Sequence, residues 1–249
     1  MATEVPTGWT WQPGATGPGL RCAALDRVAP HVFTSRHLSF RDVADYGPLG
    51  RLLDVAPASI VRARQVHGRA VVIVRPGEAM EDTPEADALV SRDPDRAVAV
   101  RVADCVPVLI AHRAGPGVAA VHAGWRGTCA GVAGVAVEAL ADEGFAAADL
   151  VAAIGPSIGP CCYQVDERVR TAFLAMTPDA AEWFAEDGPG RWKLDLWRAN
   201  AEQLEAAGVP AASIHLSRVC TGDALDQCFS YRREGPDTGR MVAAIRPRA

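Results

Sequence analysis

Apolar residues occur along this chain in short bursts punctuated by Gly, Pro and Asp, and the bursts switch between two periods. Arg69–Val74 is rich in β-branched residues and stops at Pro76-Gly77, which predicts a strand. Ala97–Ala103 and Val106–His112 predict two more, the second apolar on both faces and therefore buried. Gly117–His122, Leu150–Ile154, Ser213–Val219 and Met241–Ile245 complete the strands expected from pattern. Helical runs lie between them. Small and aliphatic residues from Thr128 to Glu143 suit a tightly packed helix, Asp166 caps another that reaches Met176, and Leu196–Ala207 stops at Gly208. The Gly/Pro-rich start, Pro6 to Pro18, suits a loose arm or an edge strand. This order of elements predicts a sheet covered by helices, an α/β or α+β layered domain.

Composition narrows the function more than the fold. The chain has 249 residues, 49% hydrophobic and 22% charged, with a net charge of −5. That is globular composition, and the length suffices for a core that needs no disulfide support. Lysine is nearly absent and the arginines are scattered, so no basic face marks a nucleic-acid binder. No apolar run approaches the length needed to span a bilayer, and the first residues lack a signal-peptide pattern. A cytoplasmic monomer is the expectation. The seven cysteines are then thiols and candidate ligands rather than a disulfide framework.

Three residues with useful chemistry fall where strands begin or end. His67 precedes a strand in Arg64-Gln65-Val66-His67-Gly68, Cys105 sits at the turn between two apolar strands, and His122 leads into Ala123-Gly124-Trp125-Arg126-Gly127. Side chains at such places are held by a rigid sheet yet open to solvent. Two imidazoles and a thiolate suit zinc and leave a fourth position open. The spacings, 38 and 17 residues, match no short metal motif, and a buried thiol, a surface histidine or a Cys105 nucleophile with a histidine base fit the same residues. Around them, Gly124–Gly131 is a small-residue turn opening a helix, with Arg126 beside it. Arg232 and Arg233 form a second cationic pair. Either could hold an anion, and either could equally brace the fold. Asp87 and Asp104 are acidic neighbours of the trio, Asp87 as an acid/base or ligand-orienting group and Asp104 as a structural one.

Seven runs in order, RQVHG, ADALVS, VADCVPVLI, AVHAGWRGTCAGV, AIGPSIGPCCYQV, LDLWRANAEQL and CFSYRREGPDTGR, resemble the signatures of the YfiH/YlmD-like family. The family is also called the polyphenol oxidoreductase (laccase) or peptidoglycan editing factor family. The resemblance spans Val61 to Ile245. It implies a single-domain layered sandwich, a mixed β-sheet flanked by helices, over residues 21–249 behind an N-terminal arm of residues 1–20. It implies zinc on His67, Cys105 and His122, and phosphorolysis of adenosine, inosine and methylthioadenosine with hydrolytic deamination of adenosine. Purine nucleosides and phosphate are then the partners, with Cys105, His67, His122 and Arg126 as the catalytic set. Arg36, Gly124, Gly127, Arg232 and Arg233 are the substrate and phosphate candidates. The pair Cys161-Cys162 falls in a structural loop. The family's HGFSTRxGG stretch is rebuilt here as HVFTSRHLS, in which Arg36 keeps the place of the motif's arginine.

Two other activities compete. An amidase that edits peptidoglycan precursors would use the same trio. A copper phenol oxidase needs paired histidines, and the six here include no HxH. Copper at the His/Cys site is allowed as an alternative or adventitious metal.

Overall fold

Apart from Arg101, the strand Ala97–Val102 is buried on both faces, and that explains the architecture. Val98, Val100 and Val102 point into one apolar layer, Ala97 and Ala99 into another. Such a strand shows no polar alternation because each side meets a packed layer. The computed structural model describes residues 4–14, 17–41, 43–78 and 83–248. Of the 1–20 segment, residues 1–3, 15 and 16 lie outside the described residues.

Two six-stranded mixed sheets stack face to face. The first runs, edge to edge, Trp9–Gln12, Gly19–Cys22, His31–Thr34, Met241–Ile245, Ala97–Val102 and Ile60–Val61. The second runs Ile214–Leu216, Leu150–Ile154, Val106–His112, Val118–Ala123, Ala88–Ser91 and Val71–Val74. Most pairs are antiparallel. Ile60–Val61 with Ala97–Val102, Leu150–Ile154 with Ile214–Leu216, and Val71–Val74 with Ala88–Ser91 are parallel. Phe33, Val98, Val100 and Ala243 from one sheet meet Leu89, Leu109, Ala120 and Val151 from the other. Each Val, Leu or Phe side chain so removed from water contributes about 1.5–3 kcal/mol.

Helices close the outer faces. Val132–Asp142 and Leu196–Ala206 cover the second sheet through Val132, Ala136, Leu140, Leu196 and Leu204. Gly47–Leu53 covers the first through Leu49 and Leu53, beside Phe40 and Tyr46. The layered sandwich with helices outside and mixed sheets inside is the expected one. It holds two large sheets where one was expected, because strands buried on both sides carry no pattern that assigns them to a sheet. A third, small sheet joins Gln164–Asp166, Arg191–Leu194 and Phe184–Glu186.

Local chemistry sets the boundaries. Asp166 accepts from the Val169 N–H at 3.1 Å and starts the helix Glu167–Met176. Asp195 caps Leu196–Ala206 in the same way through Arg198 N–H. The run expected as one helix from Thr128 to Glu143 is two, Trp125–Cys129 and Val132–Asp142, because Gly131 adopts φ 77° between them. The Gly/Pro-rich start supplies the edge strand Trp9–Gln12, with Trp9 buried. Among the described residues no helix is long and apolar enough to cross a membrane.

Candidate metal centre

His67, Cys105 and His122 meet where the chain crosses between the sheets. His67 lies in the loop from Ile60–Val61 in the first sheet to Val71–Val74 in the second, and Cys105 in the turn from Ala97–Val102 to Val106–His112. His122 shares strand parity with Val118 and Ala120, which face the inter-sheet layer, and pairs across from Pro107. Their ligand atoms all lie within 4.8 Å of one another. Cys105 Sγ is 3.9 Å from His67 Nε2, and the two imidazole rings sit edge to face at 4.9 Å. Zn–S and Zn–N bonds of ordinary length put tetrahedral donors roughly 3.5 Å apart. The residues present therefore fit a zinc ion after small side-chain movements.

Asp87, fully buried at the foot of the strand Ala88–Ser91, organises the trio. Its Oδ1 accepts from His122 Nδ1 at 2.8 Å and from His67 N–H at 3.0 Å. Its Oδ2 accepts from the Gly68 and Val66 N–H groups at 2.7 and 3.2 Å. Three consecutive backbone donors wrapped around one carboxylate hold the loop, in which His67 adopts φ 61°. The bond to Nδ1 leaves His122 Nε2 as the donor atom toward the site. Gln65 clamps the same loop by exchanging two 2.8 Å hydrogen bonds with the Arg101 backbone.

Electrostatics favour an anionic sulfur here. Burial alone would raise the Cys105 thiol, but the His122 and His67 imidazoles outweigh it and bring the pKa down to about 6. Burial would lower His122, yet Cys105 and Asp87 together push it up to about 9. Asp87 itself is held below the usual carboxylate range, since the hydrogen bonds from His122 and the loop amides outweigh its burial.

The trio forms the floor of a cleft of about 860 Å³. Arg41, Arg101, Arg232 and Arg240 line it, with Tyr163 and Tyr231. The Arg232 guanidinium lies 5.1 Å from the Tyr163 ring centre and donates to Gln164 O at 2.8 Å. Burial pushes the Tyr163 hydroxyl well above its ordinary pKa, so it stays a proton donor. Asp104 also lines the cleft, but its oxygens are engaged at 2.6 Å each by Thr221 Oγ1 and Arg232 N–H.

The other expected residues are dispersed. Arg126 is exposed and stacks on its own Trp125 at 4.5 Å, with its charge still felt at Tyr163. A Cβ on Gly124 would come within 3.0 Å of Cys105 Sγ and His67 Cδ2, and one on Gly127 within 3.0 Å of Gly68 O. Both glycines thus permit close packing against the site. Arg36 faces a neighbouring hollow, donating to Leu225 O and to Glu234 Oε1 at 2.8 Å. Arg233 points away from the cleft to Gly222 O and Cys162 Sγ. Sequence reasoning did not anticipate Arg41, Arg101, Arg240 and Tyr163, which converge only through the fold. Of the other cysteines, Cys22, Cys220 and Cys228 are buried, while Cys129 is half-buried with its thiol on Ala172 O.

Comparison with known proteins gives the same frame. Residues 45–248 match the family described as multi-copper polyphenol oxidoreductase laccase. The chain is 39% identical over 194 residues to purine nucleoside phosphorylase YlmD of Geobacillus stearothermophilus, covering 74% of this chain and 71% of that one. It is 39% identical over 189 residues to purine nucleoside phosphorylase YfiH of Escherichia coli, covering 76% and 74%. The crystal structure of the Geobacillus YlmD superposes with a TM-score of 0.86 at 34% identity, over 96% of this chain and 99% of that one. A Bacillus licheniformis hypothetical protein YfiH gives 0.88 at 26% identity, over 98% and 100%. A family match over most of the chain, with relatives at this identity sharing the whole fold, means that the chain belongs to the polyphenol oxidoreductase laccase family that includes YlmD and YfiH.

Proposed function

We propose that the protein is a cytoplasmic, zinc-dependent purine nucleoside enzyme. It phosphorolyses adenosine, inosine and methylthioadenosine, and hydrolytically deaminates adenosine. The observation that carries the reading is a three-donor His/Cys/His floor opening into an arginine-lined cleft, and the names of the relatives support it. His67, Cys105 and His122 would hold the zinc ion, which supplies a Lewis acid at neutral pH. Asp87 fixes the tautomer of His122 and the His67 loop, so the donors are preorganised. Arg232 and Arg101 offer phosphate the charge-assisted contacts it needs, with Arg126 at the rim. Tyr163 and Tyr231 offer aromatic faces to a purine. Tyr163, kept protonated, can donate to an oxygen or ring nitrogen of the substrate.

The donor set argues against multicopper chemistry. Among the described residues the groups able to hold a metal contain two histidines in all, both in one cluster. A multinuclear copper centre uses more.

The test is turnover by purified, metal-analysed protein. Adenine and ribose 1-phosphate should form from adenosine with phosphate, and inosine should form more slowly without it. His67→Ala, Cys105→Ala and His122→Ala should each abolish both. Zinc-loaded protein that forms neither product, but cleaves an amide of a peptidoglycan precursor, would replace this reading with the amidase.

A further inference from the structure

Three cysteines and an aspartate meet on the far side of the cleft wall. Cys161 and Cys162 sit in a turn closed by Cys162 N–H on Gly159 O at 3.0 Å. In an extended segment adjacent side chains would diverge, but this turn brings both thiols onto one carboxylate. Cys161 Sγ donates to Asp223 Oδ2 at 3.1 Å and Cys162 Sγ to Oδ1 at 3.0 Å. Cys220, buried, joins them across a bridge between Ser157 and Cys220. The four ligand atoms lie within 4.8 Å of one another. Arg233 donates to Cys162 Sγ at 3.4 Å and lies 3.7 Å from Asp223.

We propose that Cys161, Cys162, Cys220 and Asp223 form a second metal site, a structural one that takes zinc or another thiophilic divalent cation. Three sulfurs and a carboxylate oxygen are a complete tetrahedral set, whereas the His/Cys/His trio leaves one position open. The donor set is soft, unlike an acidic surface cluster, and so selects against calcium and magnesium. In the metal-free cluster the Cys161 and Cys162 thiols both donate to Asp223, and a cation would take the place of those protons. Binding releases three protons and leaves three thiolates and a carboxylate on a dication. The guanidinium of Arg233 offsets part of the remaining negative charge.

The location gives the site its role. Cys162 precedes Tyr163, and Cys220 precedes Thr221, whose hydroxyl holds Asp104 next to Cys105. Arg233 follows Arg232, which lines the cleft. A cation here would staple two separate segments, at 161–162 and 220–223, and Arg233 ties the 231–234 segment to them.

Cobalt(II) titration of the full chain, reduced and stripped of metal, tests this. Wild type should bind two equivalents. Cys105→Ser should keep one, with strong thiolate-to-cobalt charge-transfer absorption and tetrahedral d–d bands. Adding Cys161→Ser and Asp223→Asn, both at exposed positions, should remove that equivalent and its absorption. Zinc should raise the melting temperature of Cys105→Ser but not of the triple variant. No thiolate–cobalt absorption in Cys105→Ser, or absorption that survives the added substitutions, overturns the proposal. So does a purified protein whose intact mass shows two of these cysteines joined as a disulfide. None of these readouts depends on nucleoside turnover, so they stand or fall apart from the proposed activity.

Discussion

Asp87 holds His122 by a 2.8 Å hydrogen bond from Nδ1, and the same carboxyl oxygen receives the backbone N–H of His67. One buried group thus positions two of the three candidate ligands. Asp87→Asn keeps the shape but loses the charge, and turns one oxygen into a donor facing N–H groups. Zinc affinity at the trio is expected to fall about 10- to 100-fold, the usual effect of removing a ligand's hydrogen-bond partner. Competition with a chromophoric chelator measures it. An unchanged affinity would mean that Asp87 only shapes the loop.

Gly124→Ala probes the floor by sterics alone. Gly124 has φ −70° and ψ 170°, which alanine adopts without strain. Its Cβ would nevertheless come within 3.0 Å of Cys105 Sγ and His67 Cδ2. Metal content and turnover should drop together, at least tenfold for turnover, as misplaced reacting groups typically cause. Far-ultraviolet circular dichroism should match wild type. Full zinc and full activity would show that the donors have room to spare.

Arg232→Ala separates phosphorolysis from deamination. Its backbone N–H stays on Asp104, so the short helix Tyr231–Glu234 keeps its anchor. Loss of a charge-assisted phosphate contact costs about 1.5–3 kcal/mol, so kcat/KM for phosphate should fall roughly ten- to a hundredfold. Arg126→Ala should move phosphate kinetics in the same direction. Zinc content should not change in either, and deamination should fall far less. Equal losses in both reactions would remove these arginines from phosphate binding.

His31 carries a stability prediction away from the site. Its Nε2 accepts the Cys22 N–H at 3.0 Å while Nδ1 faces Ala29 O at 3.2 Å and Asp26 Oδ1 at 3.3 Å. Nδ1 therefore bears the proton and the ring is neutral. Burial dominates, with the Arg21 charge adding to it and the Ala29 carbonyl opposing it, and brings the pKa down to about 3. The unfolded chain takes up a proton near pH 6.5 that the native state refuses, so stability falls as pH drops from about 6.5 toward 3. The slope from this group approaches about 1.4 kcal/mol per pH unit. His31→Gln keeps an acceptor for Cys22 N–H but cannot titrate. Urea unfolding between pH 7 and pH 4 should show a shallower acid loss in the variant, and parallel curves would refute the assignment.

Strong local signals were legible in the sequence. Val106–His112, Leu150–Ile154 and Met241–Ile245 form with the expected bounds, and Asp166 caps its helix as expected. The break at Gly131 was not, since a glycine inside a small-residue run looks like helix until its φ is known. The short strands Gly19–Cys22, His31–Thr34 and Ala88–Ser91 exist through their sheet partners rather than their own pattern. At the site, the trio was weak in local sequence and became specific only through the order of seven motifs. Asp87 was visible as a neighbour, but not its grip on three successive amides. Cys220 and Asp223 are far in sequence from Cys161, and only the turn at Gly159 brings them to a common point.

The strand Met241–Ile245 lies in the middle of the first sheet, between His31–Thr34 and Ala97–Val102. During synthesis that sheet stays split in two until this late segment leaves the ribosome. Ala97–Val102 and His31–Thr34 wait with open edges for as long. A chain whose Met241–Ile245 strand is not yet paired is thus prone to edge-to-edge pairing at those two strands. A chain stopped just short of residue 241 would carry all three donors, His67, Cys105 and His122, without the strand that joins the two halves of the first sheet.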